Sequence, residues 1–204
     1  MKPYKRITLD EGIRMSDLTK HAGISNLTRP WMKDRKRLFK KKSATLLQMK
    51  VNKEEDYVDF KFVSTPTYDP DSSKVTKEPS MNLVPGDEYD QTIRILDFFK
   101  LLETNPNIES YKDATLDDIK ETLKQAEIKV GCDCASFHWQ GLSYYLTQEF
   151  DASIYPNNIK PEVWGPRHGN GDGIICKHLT LIFEVIPVRI NNFASMLYKY
   201  IKKG

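Results

Sequence analysis

Two neighbouring stretches of the chain alternate between apolar and polar residues with a period of two, which is the pattern of half-buried β-strands. The apolar positions are Leu47, Met49 and Val51 in the first stretch, and Val58, Phe60 and Phe62 in the second. The polar residues 52–56 between the stretches suit a hairpin loop. This pattern predicts an antiparallel pair of strands.

Apolar residues recur at helical spacing after Glu88. The apolar stripe consists of Ile93, Leu96, Phe99 and Leu102. We therefore expect a helix that begins near Glu88 and ends before Asn105 and Pro106, because proline does not continue a helix.

The rest of the chain predicts further helices and one short strand. Thr115 and Asp118 form a capping-box pattern, which marks the start of a helix. Residues 128–130 are expected to form a strand, and residues 135–150 can form the next helix. Two more helical stretches flank Pro187. Together these elements predict an α+β fold with a small antiparallel sheet and several helices.

The composition is that of a folded protein. Of the 204 residues, 39% are hydrophobic, and 31 Lys and Arg residues against 28 Asp and Glu residues give a net charge of +3. This apolar fraction is enough for a core. No apolar run approaches the roughly 18 residues that a membrane span needs, and the N-terminus lacks the apolar centre of a secretory signal. We expect a soluble protein that makes no membrane contact.

One segment concentrates positive charge. Its basic residues are Lys33, Arg35, Lys36, Arg37, Lys40, Lys41 and Lys42. Such a cluster can neutralise phosphate groups or contact an acidic partner. A solvated helix face or a flexible tether explains a single basic run more simply.

The three cysteines and one histidine form a single arrangement. Cys132 and Cys134 are separated by one residue, and Cys176 and His178 follow with the same spacing after 41 intervening residues. Zinc favours four tetrahedral ligands of thiolate and imidazole type, and three cysteines with one histidine is a common structural set. No coordination position then remains for a substrate. The sequence therefore predicts a structural Zn²⁺ site that stabilises the α+β fold.

Local structure can direct both halves of this site towards one point. Cys132 and Cys134 lie at a predicted strand-to-helix junction, where both thiolates can face the same side. Cys176 lies near the predicted start of a helix, whose N-terminal amides stabilise a thiolate.

Other interpretations of the same residues stay open. His138 comes four residues after Cys134 and can replace or support a ligand. The two close cysteines can also be small core residues or a redox pair. A cysteine nucleophile with a histidine base is a further alternative, but no single cysteine is distinguished by an orienting third group.

These features divide the chain into three segments. Residues 1–42 form an N-terminal arm with the basic segment, and residues 43–127 contain the β-hairpin, a long loop and two helices. The loop comprises residues 64–80, which are rich in proline and small polar residues. Residues 128–204 form the zinc-binding C-terminal region.

The ligand pattern resembles the SWIM-type zinc finger, in which C-x-C is followed at variable distance by C-x-H. The matching residues are Cys132, Cys134, Cys176 and His178. The spacer of 41 residues is longer than that family usually shows. This resemblance implies a protein that binds nucleic acid.

A larger part of the chain, residues 128–201, is similar to predicted zinc-binding structural proteins of tailed bacteriophages. The similar segments are CDCASFHWQGLSYYLTQ, which begins at Cys132, and GDGIICKHL, which ends at Leu179. Ala135 stands where that family commonly has proline. The similarity implies a virion component such as a connector, neck or capsid-associated protein.

From this similarity we expect a non-enzymatic virion structural protein with a structural Zn²⁺. The expected partners are other virion proteins, in a homo-oligomer or ring, and packaged DNA that is contacted non-specifically through its phosphates. The expected location is the virion, assembled in the host cytoplasm. The alternative is a SWIM-type zinc-finger nucleic-acid-binding protein.

Overall fold

Strands from distant parts of the chain form one antiparallel sheet. The structure, a computed structural model, describes residues 6–11, 44–64, 67–68, 84–85, 88–138, 147, 150–155 and 177–203. The strands are β1 (Ile7–Thr8), β2 (Thr45–Asn52), β3 (Tyr57–Ser64), β4 (Thr67–Tyr68), β5 (Val84–Pro85), β6 (Tyr89–Leu96) and β7 (Glu127–Cys132). Five of them form a sheet with the order β1-β7-β6-β3-β2, and β4 pairs with β5.

Four helices accompany the sheet in the described ranges. They are α1 (Phe98–Glu103), α2 (Leu116–Gln125), α3 (Ala135–His138) and α4 (Lys177–Lys203), and a single 3₁₀ turn covers Tyr111–Asp113. The predicted α+β class, with a small antiparallel sheet and several helices, is therefore confirmed.

The predicted antiparallel pair is confirmed as β2 and β3, whose ladder sets Met49 opposite Phe60. Asp56 ends the connecting turn in the left-handed region, with φ 48°. Its carboxylate accepts hydrogen bonds from the backbone N–H groups of Phe99 and Lys100, at 2.8 and 3.0 Å. The hairpin turn therefore caps the start of α1, where N–H groups have no partner within the helix.

The helix predicted from Glu88 is wrong over its first half. That half is β6, which pairs with β3 on one edge and with β7 on the other. The helical spacing arises because a strand and a helix follow each other: Ile93 is buried from β6, and Phe99 is buried from α1. Asp97, with φ 48°, turns the chain between them. Pairing on both edges satisfies the backbone of this segment, which outweighs the local spacing.

The capping box is confirmed at α2. The Thr115 hydroxyl accepts a hydrogen bond from the Asp118 N–H at 3.2 Å, and the Asp118 carboxylate accepts one from the Thr115 N–H at 2.9 Å. Ile119 and Leu123 are buried, as their spacing predicts. The chain then enters β7, which contains the strand predicted over residues 128–130.

The helical stretches predicted on either side of Pro187 form one continuous helix, α4. Proline has no N–H, so Pro187 makes no helical hydrogen bond to the Phe183 carbonyl. Further along α4, the Phe193 ring packs on Phe60 and Phe62 of β3, with centroids 4.9 and 5.9 Å apart. Helix α4 therefore covers the inner face of the sheet. Neither α4 nor any other helix in the described ranges has the length and apolarity that a membrane span requires.

The outer face of the sheet carries charged pairs. Arg94 donates to both carboxylate oxygens of Asp59, at 2.8 and 2.9 Å, and its guanidinium lies 3.9 Å from the centre of the Tyr57 ring. Lys129 donates to Asp151 at 2.9 Å. The alternation of side chains thus separates an apolar inner face from a polar outer face.

Chain segments cover the β7 edge that faces away from β6. β1 pairs with the first two residues of this edge, and residues 152–154 bond to Val130 further along it. β1 therefore ties the start of the predicted N-terminal arm to the sheet. The basic segment 33–42 and most of the predicted loop 64–80 lie outside the described residues. The loop prediction is wrong where the structure describes it, because Ser64 ends β3 and Thr67–Tyr68 form β4, which pairs with β5. The division of the chain into three segments stays a prediction.

Candidate metal centre

Cys132 and Cys134 lie where β7 ends beside β6. Cys132 is the last residue of β7, and it pairs with Gln91 of β6. The ladder extends one residue further, because the Asp133 N–H donates to the Asp90 carbonyl at 3.1 Å and Asp133 Oδ1 accepts from the Asp90 N–H at 2.9 Å. Side chains alternate along extended backbone, so both cysteines face the inner side of the sheet.

Cys134 also begins the turn into α3. Its carbonyl oxygen accepts hydrogen bonds from the Phe137 and His138 N–H groups, at 2.9 and 3.3 Å. The predicted strand-to-helix junction at the two cysteines is therefore confirmed. α3 is the described start of the helix predicted after Cys134, whose residues 139–146 lie outside the described ranges.

His178 reaches the same place from α4. It is the second residue of that helix and is buried. Its ring packs on the Tyr89 ring, with centroids 4.3 Å apart and planes inclined by 30°. His178 Nδ1 lies 3.7 Å from Cys132 Sγ. β6 therefore supports the imidazole, and β7 supplies the neighbouring thiol.

Three potential ligands thus form one buried group. The Sγ atoms of Cys132 and Cys134 and a ring nitrogen of His178 all lie within 4.8 Å of one another. The three residues are 0%, 3% and 1% exposed, respectively. Thiolate sulfur and imidazole nitrogen are typical ligands of soft divalent metal ions. These three side chains can therefore bind a metal ion.

The two remaining candidate ligands have different outcomes. Cys176 lies outside the described residues, so its role as a ligand stays a prediction. His138 is not a member of the ligand group that the described residues form. Its ring instead packs with Phe137 and Tyr155, at centroid distances of 5.6 and 5.5 Å. Of the two histidines in the described ranges, His178 is therefore the one that lies beside the cysteines.

The acidic residue between the cysteines belongs to the opposite, partly exposed side of the sheet. Partial burial raises the pKa of the Asp133 carboxyl, and the Asp90 carboxylate acts in the same direction, against the lowering effect of the Asp90 N–H. Lys61 Nζ lies 2.6 Å from Asp90 Oδ2, so this ion pair offsets part of the negative charge. Asp133 makes a backbone hydrogen bond rather than joining the ligand group.

Gly131 allows another chain segment to pack against the end of β7. A Cβ atom at this position would lie 2.7 Å from Tyr155 Cε2, closer than side chains tolerate. Because side chains alternate, this contact is on the face opposite Cys132. Tyr155 therefore supports from outside the same stretch of backbone that carries the thiols inside.

The buried polar residues next to the ligands were not predicted from the sequence. Gln91 and Ser64 are buried on β6 and β3, and Tyr89 packs on His178. The signal for Gln91 is the period of two that it shares with Ile93 and Ile95, both buried. The prediction of a helix in this segment conceals that signal.

The comparisons with known proteins leave the arrangement of side chains as the main evidence on function. No protein-family model, no curated protein and no solved structure matches the chain. A function must then come from the geometry and chemistry of the site, because a fold alone does not determine it.

Proposed function

We propose that Cys132, Cys134, Cys176 and His178 bind one structural Zn²⁺, and that the chain is a non-enzymatic structural protein. The observation that carries this proposal is the buried group of two cysteines and His178. Cys176, two residues before His178, is the remaining cysteine and supplies the fourth ligand. Three thiolates and one imidazole then complete a tetrahedral site.

The distance between two of the donors fits a tetrahedral metal ion such as zinc. With Zn–S of about 2.3 Å and Zn–N of about 2.0 Å, a tetrahedral centre sets sulfur and nitrogen about 3.5 Å apart. Cys132 Sγ and His178 Nδ1 are 3.7 Å apart, so the described side chains already have nearly the required spacing. Soft sulfur ligands also disfavour magnesium and calcium, which take oxygen ligands.

Burial favours a structural role over a catalytic one. A catalytic zinc keeps one coordination position open to water and substrate, whereas a structural zinc has four protein ligands. Cys132, Cys134 and His178 are almost fully buried, which suits a closed site. The metal would connect the end of β7 to the start of α4 across a separation of 46 residues between Cys132 and His178.

We extend this proposal to a virion role: a connector, neck or capsid-associated component of a tailed phage. Its support is the similarity of the segments around Cys132 and Cys176 to zinc-binding phage structural proteins. A structural metal contributes on the order of 10 kcal/mol of binding free energy to folding, which suits a small part of a large assembly. The partners are then other virion proteins in a homo-oligomer or ring, with non-specific DNA contacts through the basic segment 33–42.

The metal proposal is tested by elemental analysis of the purified full-length protein and three variants. We expect about one zinc ion per chain in the wild type, because the proposed ligands form a single tetrahedral site. Cys132→Ser and His178→Ala should lose the metal, since each removes a ligand. His138→Ala is the matched control and should retain it, because His138 packs with aromatic rings.

Two outcomes would contradict the metal proposal. The first is a wild-type protein that unfolds cooperatively while it contains no zinc. The second is metal loss in His138→Ala combined with full metal content in His178→Ala, which would reverse the ligand assignment.

The virion role is tested by electron microscopy and DNA-binding titration of the zinc-loaded protein. Ring or shell assembly with weak, non-specific DNA affinity would support it. A stable monomer that binds DNA with steep salt dependence would favour the SWIM-type alternative, because each neutralised phosphate adds to the salt slope.

A further inference from the structure

Three buried polar side-chain atoms have no hydrogen-bond partner among the described residues. They are Ser64 Oγ, Gln91 Oε1 and His178 Nε2. A buried polar atom without a partner loses its hydrogen bonds to water without replacement, so folded proteins contain few of them. All three lie next to the candidate metal centre: Ser64 is on β3, Gln91 is on β6 and His178 is on α4.

The strand register shows how closely they are grouped. Cys132 of β7 pairs with Gln91 of β6, and Tyr89, two residues before Gln91, pairs with Ser64 of β3. His178 spans this group, since its ring packs on Tyr89 and its Nδ1 lies 3.7 Å from Cys132 Sγ. Gln91 and His178 therefore flank Cys132, one from the neighbouring strand and one from the helix.

The hydrogen-bonding capacities of these atoms are complementary. Gln91 Nε2 donates to the Tyr89 carbonyl at 2.5 Å, which fixes the orientation of the amide and leaves Oε1 as an acceptor. If His178 binds the metal through Nδ1, the neutral imidazole carries its proton on Nε2, which becomes a donor. Metal-binding histidines almost always donate this second N–H to an oxygen acceptor.

We propose that Gln91 is a positioning residue of the metal centre, whose Oε1 accepts the Nε2–H hydrogen bond of His178 through one ordered water, since the two atoms make no direct hydrogen bond. Ser64 Oγ, which can donate and accept, completes the buried polar group. Gln91 does not touch the metal. It holds the imidazole in the tautomer and orientation that direct Nδ1 at the ion. This inference rests on the proposed zinc site.

The substitution Gln91→Met tests this role, because methionine is similar in size but has no oxygen acceptor. We expect zinc affinity, measured by competition with a chromophoric chelator, to fall about 10- to 100-fold. The d–d absorption bands of the Co²⁺-substituted protein should also shift, since a rotated imidazole changes the ligand field. A loss of stability alone would not move those bands.

Thr122→Val is the matched control. It removes a buried hydroxyl from α2, away from the ligands, and should leave the zinc affinity and the Co²⁺ spectrum unchanged. If wild type and Gln91→Met bind zinc equally well with the same spectrum, the role of Gln91 is overturned while the zinc proposal stands. If the wild type binds no zinc, both proposals are overturned.

A measurement on the wild type remains decisive if Gln91→Met does not fold. In ¹⁵N NMR spectra of the zinc-loaded protein, we expect His178 Nδ1 to be metal-bound and the Nε2–H proton to exchange slowly with solvent. A metal-bound Nε2, or an Nε2–H that exchanges as fast as in a free imidazole, would overturn the proposal.

Discussion

The two ends of the sheet's inner face differ in what they bury. At one end, apolar side chains such as Phe60, Ile95 and Ile128 are buried, and Phe193 of α4 packs on Phe60. At the other end, the inner face carries thiols, an imidazole and the side-chain oxygens of Gln91 and Ser64. The same strands and the same helix run through both ends, so the backbone alone does not explain the difference.

The two ends therefore depend on different sources of free energy. The apolar end is stabilised by removal of hydrocarbon from water, which needs no cofactor. The polar end buries polar groups, whose burial costs free energy unless they have bonding partners. A metal ion would be the partner that contributes the most free energy. Conditions that weaken one end should therefore leave the other largely intact.

Removal of the metal should produce the largest difference in stability between the two ends. An excess of chelator should cost the protein on the order of 10 kcal/mol of metal-binding free energy. In hydrogen-exchange mass spectrometry, we expect protection to fall first in residues 131–134 and in the first turn of α4. Protection in the hairpin of β2 and β3 should last longer, because apolar packing maintains it.

The control for this experiment is the same chelator saturated with zinc, which should change no amide. An equal loss of protection at both ends would show that the ends are not independent. Unchanged protection everywhere would show that no metal supports the cysteine end.

Phe193→Ala should weaken the apolar end instead. Removal of this ring from its contacts with Phe60 and Phe62 should lower the free energy of unfolding by about 3–5 kcal/mol, through lost burial and a residual cavity. Chemical denaturation measures this loss. Zinc affinity of the folded protein should change little, since Phe193 lies far along α4 from His178.

Val188→Ala is a control on the same helix. Val188 is 82% exposed, so its truncation should change stability by no more than about 0.5 kcal/mol. If Phe193→Ala weakened zinc binding as strongly as Gln91→Met, the comparison between the two ends would fail.

Apart from the control variants, the smallest expected effect is at α2, which belongs to neither end. Hydrogen bonds from the Thr115 hydroxyl and N–H lower the pKa of Asp118 from its ordinary value of 3.8. Asp118→Ala should cost at most about 1 kcal/mol at neutral pH, because it removes one half of the capping box while the Thr115 hydroxyl still caps the helix. Because the pKa is lowered in the folded state, this stabilisation is present above pH 3.8 and is lost as the pH falls through the folded-state value.

Denaturation of wild type and Asp118→Ala side by side between pH 7 and pH 3 measures the effect. The difference between the two proteins should shrink towards the acidic end, and metal release is common to both. If the difference in free energy of unfolding stayed constant with pH, the charge of Asp118 would not be its cause. Asp117→Ala, in the same helical turn, is the matched control and should leave the Thr115–Asp118 capping box in place.

The sequence predicts those parts of the fold and site that depend on local patterns. The period of two around Met49 and Phe60 is enough for the hairpin, and the Thr115 cap is enough for the start of α2. The spacing of Cys132, Cys134 and His178 is enough to group three of the four proposed ligands, because few other functions use this combination.

What the sequence could not predict depends on contacts between distant segments. β6 resembles a helix locally, since Ile93, Leu96 and Phe99 follow each other at intervals of three residues although Asp97 separates a strand from a helix. The position of Gln91 beside Cys132 follows from the register of β6 against β7, which no local pattern specifies. The ligands could therefore be predicted from the sequence, whereas the residues that support them could not.

Pro187 interrupts the backbone hydrogen bonds of α4 between its first turns and the stretch that packs on the sheet. In an uninterrupted helix, each hydrogen bond links one turn to the next, so melting at one end can spread along the axis. The missing bond at Pro187 interrupts this linkage between the turn that bears His178 and the stretch anchored by Phe193. If a metal ion bound at His178 were to dissociate, fraying could stop at the proline, and the distal turns would keep a template on which the turn of His178 could rewind.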